Sequence, residues 1–157
     1  MYFWSMVNIA PIHLLILLPL LPMMLSDWKS RTVSTGWLVL LFVLAGGCSV
    51  YANGLPRALT NTGLNLSILL TLGLALWAYA KLRGKRLAEM GGLGDLLFFA
   101  AITPLLSPED YIRLMIAMLV TSLILWALLK KKYHLETIPL VTFCGFPFII
   151  WILVRLI

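Results

Sequence analysis

The apolar residues of this chain form long uninterrupted runs, and a charged residue or a short polar cluster ends each run. The runs cover residues 1–26, 33–56, 58–80, 96–108, 114–129 and 137–154. An apolar run of about 20 residues is typical of a helix that crosses the roughly 30 Å hydrocarbon core of a bilayer. The pattern therefore predicts an all-α polytopic membrane protein.

The fourth run is the exception, because its 13 residues cover only about 20 Å as a helix. Either this segment re-enters the membrane from one side, or its helix begins earlier, within the sequence Gly91-Gly92-Leu93-Gly94-Asp95. The distribution of basic residues distinguishes the two alternatives, because basic loops face the cytoplasm.

If all six runs cross, nine of the basic residues lie on one side of the membrane and three on the other. The first set is Lys29, Arg31, Lys81, Arg83, Lys85, Arg86, Lys130, Lys131 and Lys132, and the second is Arg57, Arg113 and Arg155. If the fourth run does not cross, the bias falls to six against six. The asymmetry therefore favours six spans with both termini outside the cytoplasm.

These considerations predict a single membrane-embedded domain over residues 1–157, with six transmembrane helices in one bundle. The approximate spans are 8–26, 36–54, 61–81, 92–107, 112–130 and 137–155, and the fourth is short and glycine-rich at its start.

Composition agrees with a membrane protein, since 62% of the residues are hydrophobic and 11% are charged, against about 25% charged in a soluble domain. The net charge of +6 indicates contact with anionic lipid. The sequence has no basic surface interleaved with aromatic residues, so nucleic-acid binding is not expected. Cys48 and Cys144 lie in apolar runs without a C-x-x-C pair and are interpreted as core residues. Neither they nor the two histidines have metal-ligand spacing, so we expect no metal and no cofactor.

Two aspartates are expected on the cytoplasmic face, Asp27 at the end of the first span and Asp95 at the start of the fourth. An acid at membrane depth costs roughly 2.5 to 3.5 kcal/mol and marks a functional site unless a partner neutralises it. Asp27 could instead pair with Lys29 or Arg31, and Asp95 could be a first-turn acid favoured by its helix dipole.

Together the two acids suggest hydrolysis. Carboxylates about 4 Å apart repel by about 4 kcal/mol at an effective dielectric of 20, so such a pair shares one proton. The ionised member can then take a proton from water while the protonated member polarises a peptide carbonyl. Gly91, Gly92 and Gly94 would let a substrate backbone approach, or they would serve close helix packing.

Several of these residues resemble those of a known family. Gly92-Leu93-Gly94-Asp95 matches the G-x-G-D motif of membrane aspartyl proteases, and residues 27–35 are similar to the second signature of the type IV prepilin and archaeal preflagellin peptidases. Asp27, Arg31 and Val33 fit that signature, whereas Ser34 and Thr35 replace its usual Pro-Asn. Leu97 stands where many members carry a lysine, and Ile138-Pro139 resembles the start of the family's last span.

The resemblance implies an aspartyl endopeptidase in a bacterial or archaeal cytoplasmic membrane, with Asp27 and Asp95 as catalytic residues facing the cytoplasm. Gly91, Gly92, Gly94 and Arg31 would support the motif or the substrate. The substrate would be a prepilin-like precursor with a basic leader, and the chain resembles short members that cleave without methylating. The alternative is a non-catalytic scaffold or small transporter subunit that uses both aspartates for ion or proton contacts.

Overall fold

The computed structural model of the protein describes residues 11–84, 93–133 and 138–154, and within these ranges the chain forms helices and no strand. A 3₁₀ helix, Pro11–Ile16, precedes the first α-helix, and a second, Thr103–Leu105, follows the fourth. The α-helices are α1 (Leu17–Ser30), α2 (Thr35–Asn53), α3 (Leu55–Leu82), α4 (Leu93–Ala101), α5 (Pro108–Tyr133) and α6 (Leu140–Val154). The prediction of an all-α fold is confirmed.

Within the described residues, three helices are long and apolar enough to cross a membrane, namely Thr35–Asn53, Leu55–Leu82 and Pro108–Lys130. Their outward surfaces carry many exposed large apolar side chains, of which Val43, Leu70 and Leu123 are more than half exposed. An apolar exterior of this extent is expected of a protein whose solvent is lipid. The helices therefore indicate a membrane protein.

Helices α2 and α3 are separated by a single residue, Gly54, whose φ of 79° lies in the region that favours glycine. A proline at the start of α3 suits the restart, because the first amide of a helix has no partner within the helix. The two helices therefore form a tight hairpin, and α3 begins at Leu55 rather than near residue 61.

The core lies between α1, α2, α4, α5 and α6, whereas α3 is mostly exposed and contributes Leu69 to the central apolar cluster. Helix α6 packs against both α5 and α1. The contact with α1 is closest at Gly145, where an added Cβ would overlap the side chain of Met24. The start of α6 is therefore held tightly against the end of α1.

Between α4 and α5 the chain leaves the α-helical conformation while buried, because every residue from 101 to 106 is buried. We call residues 101–106 the buried turn. The Asn65 side chain of α3 donates from Nδ2 to the Thr103 carbonyl at 2.9 Å and to the Leu106 carbonyl at 2.8 Å. Irregular backbone away from water needs such partners, so Asn65 fixes the end of α4 to α3.

Candidate active site at the ends of three helices

Asp27 lies in the last turn of α1, and its side chain is only 5% exposed. Its Oδ2 accepts a hydrogen bond from the Thr142 backbone N–H at 2.9 Å and another from the Thr142 hydroxyl at 3.0 Å. Thr142 belongs to the first turn of α6, where backbone N–H groups lack partners within the helix. Asp27 therefore caps α6 from a position 115 residues away in the chain.

The connection that follows Asp27 is held by local hydrogen bonds. The Ser26 hydroxyl donates to the Thr32 carbonyl at 2.8 Å, and the Ser30 and Thr32 hydroxyls are 2.7 Å apart. Arg31 ends α1 in the left-handed conformation at φ 56°, its N–H donating to the Asp27 carbonyl at 3.1 Å. The Arg31 side chain is exposed, so what the structure shows for this residue is a backbone role in ending α1.

Asp95 is the third residue of α4 and is partly buried, and it belongs to the first turn of that helix. The preceding Gly94 lies beside Val33 in the connection between α1 and α2, since an added Cβ at Gly94 would be 3.7 Å from the Val33 side chain. The start of α4 and the end of α1 are therefore at the same end of the bundle.

The glycines before Asp95 are described only at Gly94, because Gly91 and Gly92 lie outside the described residues. Positive φ occurs at Gly54 and Gly84 among the described glycines and not at Gly94. A Cβ at Gly94 would make ordinary van der Waals contact. Neither backbone strain nor lack of space within the described residues accounts for glycine at position 94.

Both carboxylates lie within electrostatic range of one side chain, the thiol of Cys144 in α6. Cys144 is buried, and its Sγ is 3.3 Å from the Ser122 hydroxyl of α5. The end of α1 and the start of α4 therefore place both acids within electrostatic range of one buried thiol of α6, and Thr142 of α6 bonds directly to Asp27.

Comparisons of the chain with protein-family models, curated proteins and solved structures find no match. The chemical interpretation of the site therefore depends on its residues and their geometry.

The geometry adds Thr142 to the site. The sequence carries no direct signal for Thr142, because the unpartnered N–H groups at a helix start can be satisfied by several kinds of acceptor. The sequence offered Lys29 and Arg31 as possible partners of Asp27. In the structure, Asp27 Oδ2 bonds to Thr142 instead. A ring contact between Trp28 and Phe143, with centroids 6.1 Å apart, joins the same two helix ends.

Within the described ranges, no group of three or more His, Cys, Asp or Glu side chains could hold a metal ion. Cys48 and Cys144 form no disulfide, and both are buried. The chemistry that these side chains offer is proton transfer by two carboxyl groups, one of which has a single oxygen engaged by Thr142. Asp27 Oδ1 accepts no hydrogen bond from any residue that the structure describes.

Proposed function

We propose that the protein is a polytopic membrane aspartyl endopeptidase of the prepilin and preflagellin peptidase type, with Asp27 and Asp95 as its catalytic pair. The observation that carries the proposal is the convergence of the two acids. The two residues are 68 positions apart in the chain, and both lie within electrostatic range of the Cys144 thiol in the first half of α6. A structural acid needs a single partner, whereas two acids brought to one helix end are the arrangement that proton-sharing catalysis requires.

Six membrane crossings are part of the proposal, and the helix contacts support them. The end of α1 lies beside the starts of α4 and α6, while the end of α4 lies against α3 at Asn65. The short α4 is followed by the buried turn, whose Thr103 and Leu106 carbonyl groups are bonded inside the protein rather than facing lipid. These contacts support the proposal that successive helices run in alternating directions.

The membrane face of the site is proposed to be cytoplasmic. Basic side chains lie over aromatic rings four residues earlier at the ends of α3 and α5, in the pairs Lys81–Trp77, Arg83–Tyr79 and Lys130–Trp126. Such pairs suit the interface between acyl chains and anionic head groups. The nine basic residues assigned to this side of the membrane favour an orientation in which the site faces the cytoplasm of a bacterium or archaeon.

The reaction needs one ionised and one protonated carboxyl group. The ionised group takes a proton from water while the resulting hydroxide adds to the scissile carbonyl carbon, and the protonated group gives its proton to the carbonyl oxygen. The C–N bond then breaks as the first acid returns its proton to the nitrogen and the second takes one from a hydroxyl on the carbon. Both acids end as they began, and no covalent enzyme intermediate forms.

The proposed substrate is a pilin-like precursor with a short basic leader followed by a hydrophobic helix. That helix would remain in the membrane beside the bundle, and the junction would meet the aspartates at the membrane surface. This substrate class follows from the resemblance of residues 27–35 and 92–95 to the peptidase signatures.

A non-catalytic scaffold is the second candidate, and one observation favours it. Asp27 is buried and joins α1 to α6 through two hydrogen bonds, a role that needs no chemistry. The two candidates differ in what an amide at position 27 does, since an Asn oxygen can still accept both bonds from Thr142 but cannot exchange a proton.

The test uses the purified full-length protein in nanodiscs with a synthetic precursor that carries a basic leader ending in glycine and a hydrophobic helix. Asp27→Asn and Asp95→Asn should each lower the cleavage rate by roughly 10³-fold or more, because the two acids act as a unit. Asp110→Asn is the matched control, since Asp110 is a partly buried first-turn acid of α5 rather than of the site helices. It should cleave at nearly the unmutated rate.

The scaffold predicts a different result. The unmutated protein would then cleave no precursor, and both site variants would behave as it does. Full activity in either site variant would exclude the paired-acid mechanism even if the protein proved to be a peptidase.

A further inference from the structure

The Thr142 hydroxyl has two acceptors within reach. Its Oγ1 is 3.0 Å from Asp27 Oδ2 and 2.8 Å from the Met24 carbonyl oxygen. A hydroxyl carries one proton and therefore donates to one of these oxygens at a time. The Thr142 backbone N–H has a fixed direction and donates to Asp27 Oδ2 at 2.9 Å.

The two acceptors match the two charge states of a catalytic acid. When Asp27 is ionised, the hydroxyl and the N–H both donate to Oδ2, and hydrogen bonds to an ionised acceptor are the stronger ones. When Asp27 carries a proton on Oδ1, its Oδ2 becomes a weaker acceptor, and the hydroxyl can turn to the Met24 carbonyl. Rotation about one side-chain bond thus follows the charge of Asp27 without any movement of the helices.

The same contacts decide which oxygen is free. Both donors engage Oδ2, whereas Oδ1 accepts no hydrogen bond from the described part of the chain. This unbonded oxygen is not fully buried, so it keeps an exposed surface.

We propose that Thr142 is a positioning residue that holds the Asp27 carboxyl group by Oδ2 when Asp27 is ionised and leaves Oδ1 to exchange protons in the reaction. This inference rests on the proposed function. In the reaction described above, Asp27 takes up its proton and gives it back through Oδ1, so both acids end the reaction as they began.

The test compares three variants of the full-length protein in nanodiscs. Thr142→Val has nearly the same shape but lacks the hydroxyl, and Thr142→Ser restores it. Thr103→Val is the matched control, because Thr103 is also buried and its hydroxyl donates to the Ala100 carbonyl at 2.8 Å in the buried turn. The measurements are kcat and KM for the synthetic precursor at equal concentrations of folded protein.

Thr142→Val should lower kcat by roughly 10- to 100-fold, as expected for losing one hydrogen bond to a charged group. KM should change by less than about twofold, because the hydroxyl acts on the acid and not on the substrate. Thr142→Ser should stay within about threefold of the unmutated kcat. Equal kcat values for Thr142→Val and Thr103→Val, or equal losses for Thr142→Val and Thr142→Ser, would overturn the inference.

A second measurement does not depend on activity. The infrared band of the Asp27 carboxylate, assigned by its loss in Asp27→Asn, should shift in Thr142→Val and stay in place in Thr103→Val. An active unmutated protein whose band does not respond to Thr142→Val overturns this inference alone. A protein that cleaves no precursor while its band does respond overturns the proposed function and leaves Thr142 as a contact between two helices.

Discussion

Two buried polar side chains hold opposite regions of the bundle, and they do so in different ways. Asn65 gives both hydrogens of its amide to the buried turn, and its Oδ1 is buried without a partner among the described residues. Asp27 accepts two hydrogens at one oxygen and keeps the other accessible. The comparison shows that similar burial can serve structure alone or leave an atom available for chemistry, depending on which atoms are engaged.

Exchanging the two side-chain types separates their roles most clearly. Asn65→Asp replaces the amide nitrogen, which donates two hydrogen bonds, with an oxygen that faces the Thr103 and Leu106 carbonyl oxygens. The result is a buried acid without donors for that oxygen. We expect the free energy of unfolding to fall by about 3 kcal/mol or more, measured by thermal or denaturant unfolding in detergent micelles. Asp27→Asn should lower it by less than about 1 kcal/mol, because the amide oxygen still accepts from Thr142.

Asn65→Asp should also retain cleavage per folded molecule, because Asn65 lies away from the two acids. A variant that stays stable but loses cleavage would show that the buried turn takes part in the reaction, and the contrast between the two regions would fail.

The contact between α1 and α6 can be tested at Gly145. A Cβ there would overlap the buried Met24 side chain from Cγ to Cε, so that side chain would have to shift. Gly145→Ala should therefore lower the free energy of unfolding by about 1 to 3 kcal/mol and reduce cleavage, since it separates Asp27 from Thr142.

The control for that change is Gly73→Ala in α3, where an added Cβ meets nothing within 4 Å. It should leave stability unchanged or raise it by up to about 1 kcal/mol. If both alanine variants unfold at the same temperature, the close approach of α1 and α6 does not contribute to stability.

The smallest effect is expected at Gly94. Because a Cβ there would lie 3.7 Å from Val33, Gly94→Ala should change the free energy of unfolding by less than about 0.5 kcal/mol and cleavage by less than about threefold. Stability is followed by thermal unfolding and cleavage with the synthetic precursor. A large loss of cleavage with unchanged stability would instead show that the substrate backbone passes directly over Gly94.

The helical fold could be predicted from the sequence because uninterrupted apolar runs leave few alternatives to helices in lipid. A start of α4 before residue 96 could be anticipated because the fourth apolar run alone was too short to cross a bilayer, and the helix begins at Leu93. The start of α3 at Leu55 was missed because Pro56 and Arg57 read as a polar connection, whereas proline is tolerated in a first helical turn.

The candidate site was only partly accessible from the sequence. Asp27 and Asp95 stand out because charged residues are rare in this chain. Thr142 does not, because serine and threonine are tolerated inside membrane helices and its partner is 115 residues distant. Asn65 is visible as a polar residue in an apolar helix, but the two carbonyl groups that it serves depend on where α4 stops.

The buried turn also constrains how the molecule is assembled during insertion into the membrane. A segment with unbonded carbonyl groups is poorly soluble in lipid, so α4 cannot rest there by itself as a translocated hydrophobic helix can. It needs the α2–α3 hairpin and its Asn65 already in place. The order of synthesis supplies that condition, since α3 emerges from the ribosome before α4. The earlier helices can therefore bond the carbonyl groups at the end of α4 as that helix inserts.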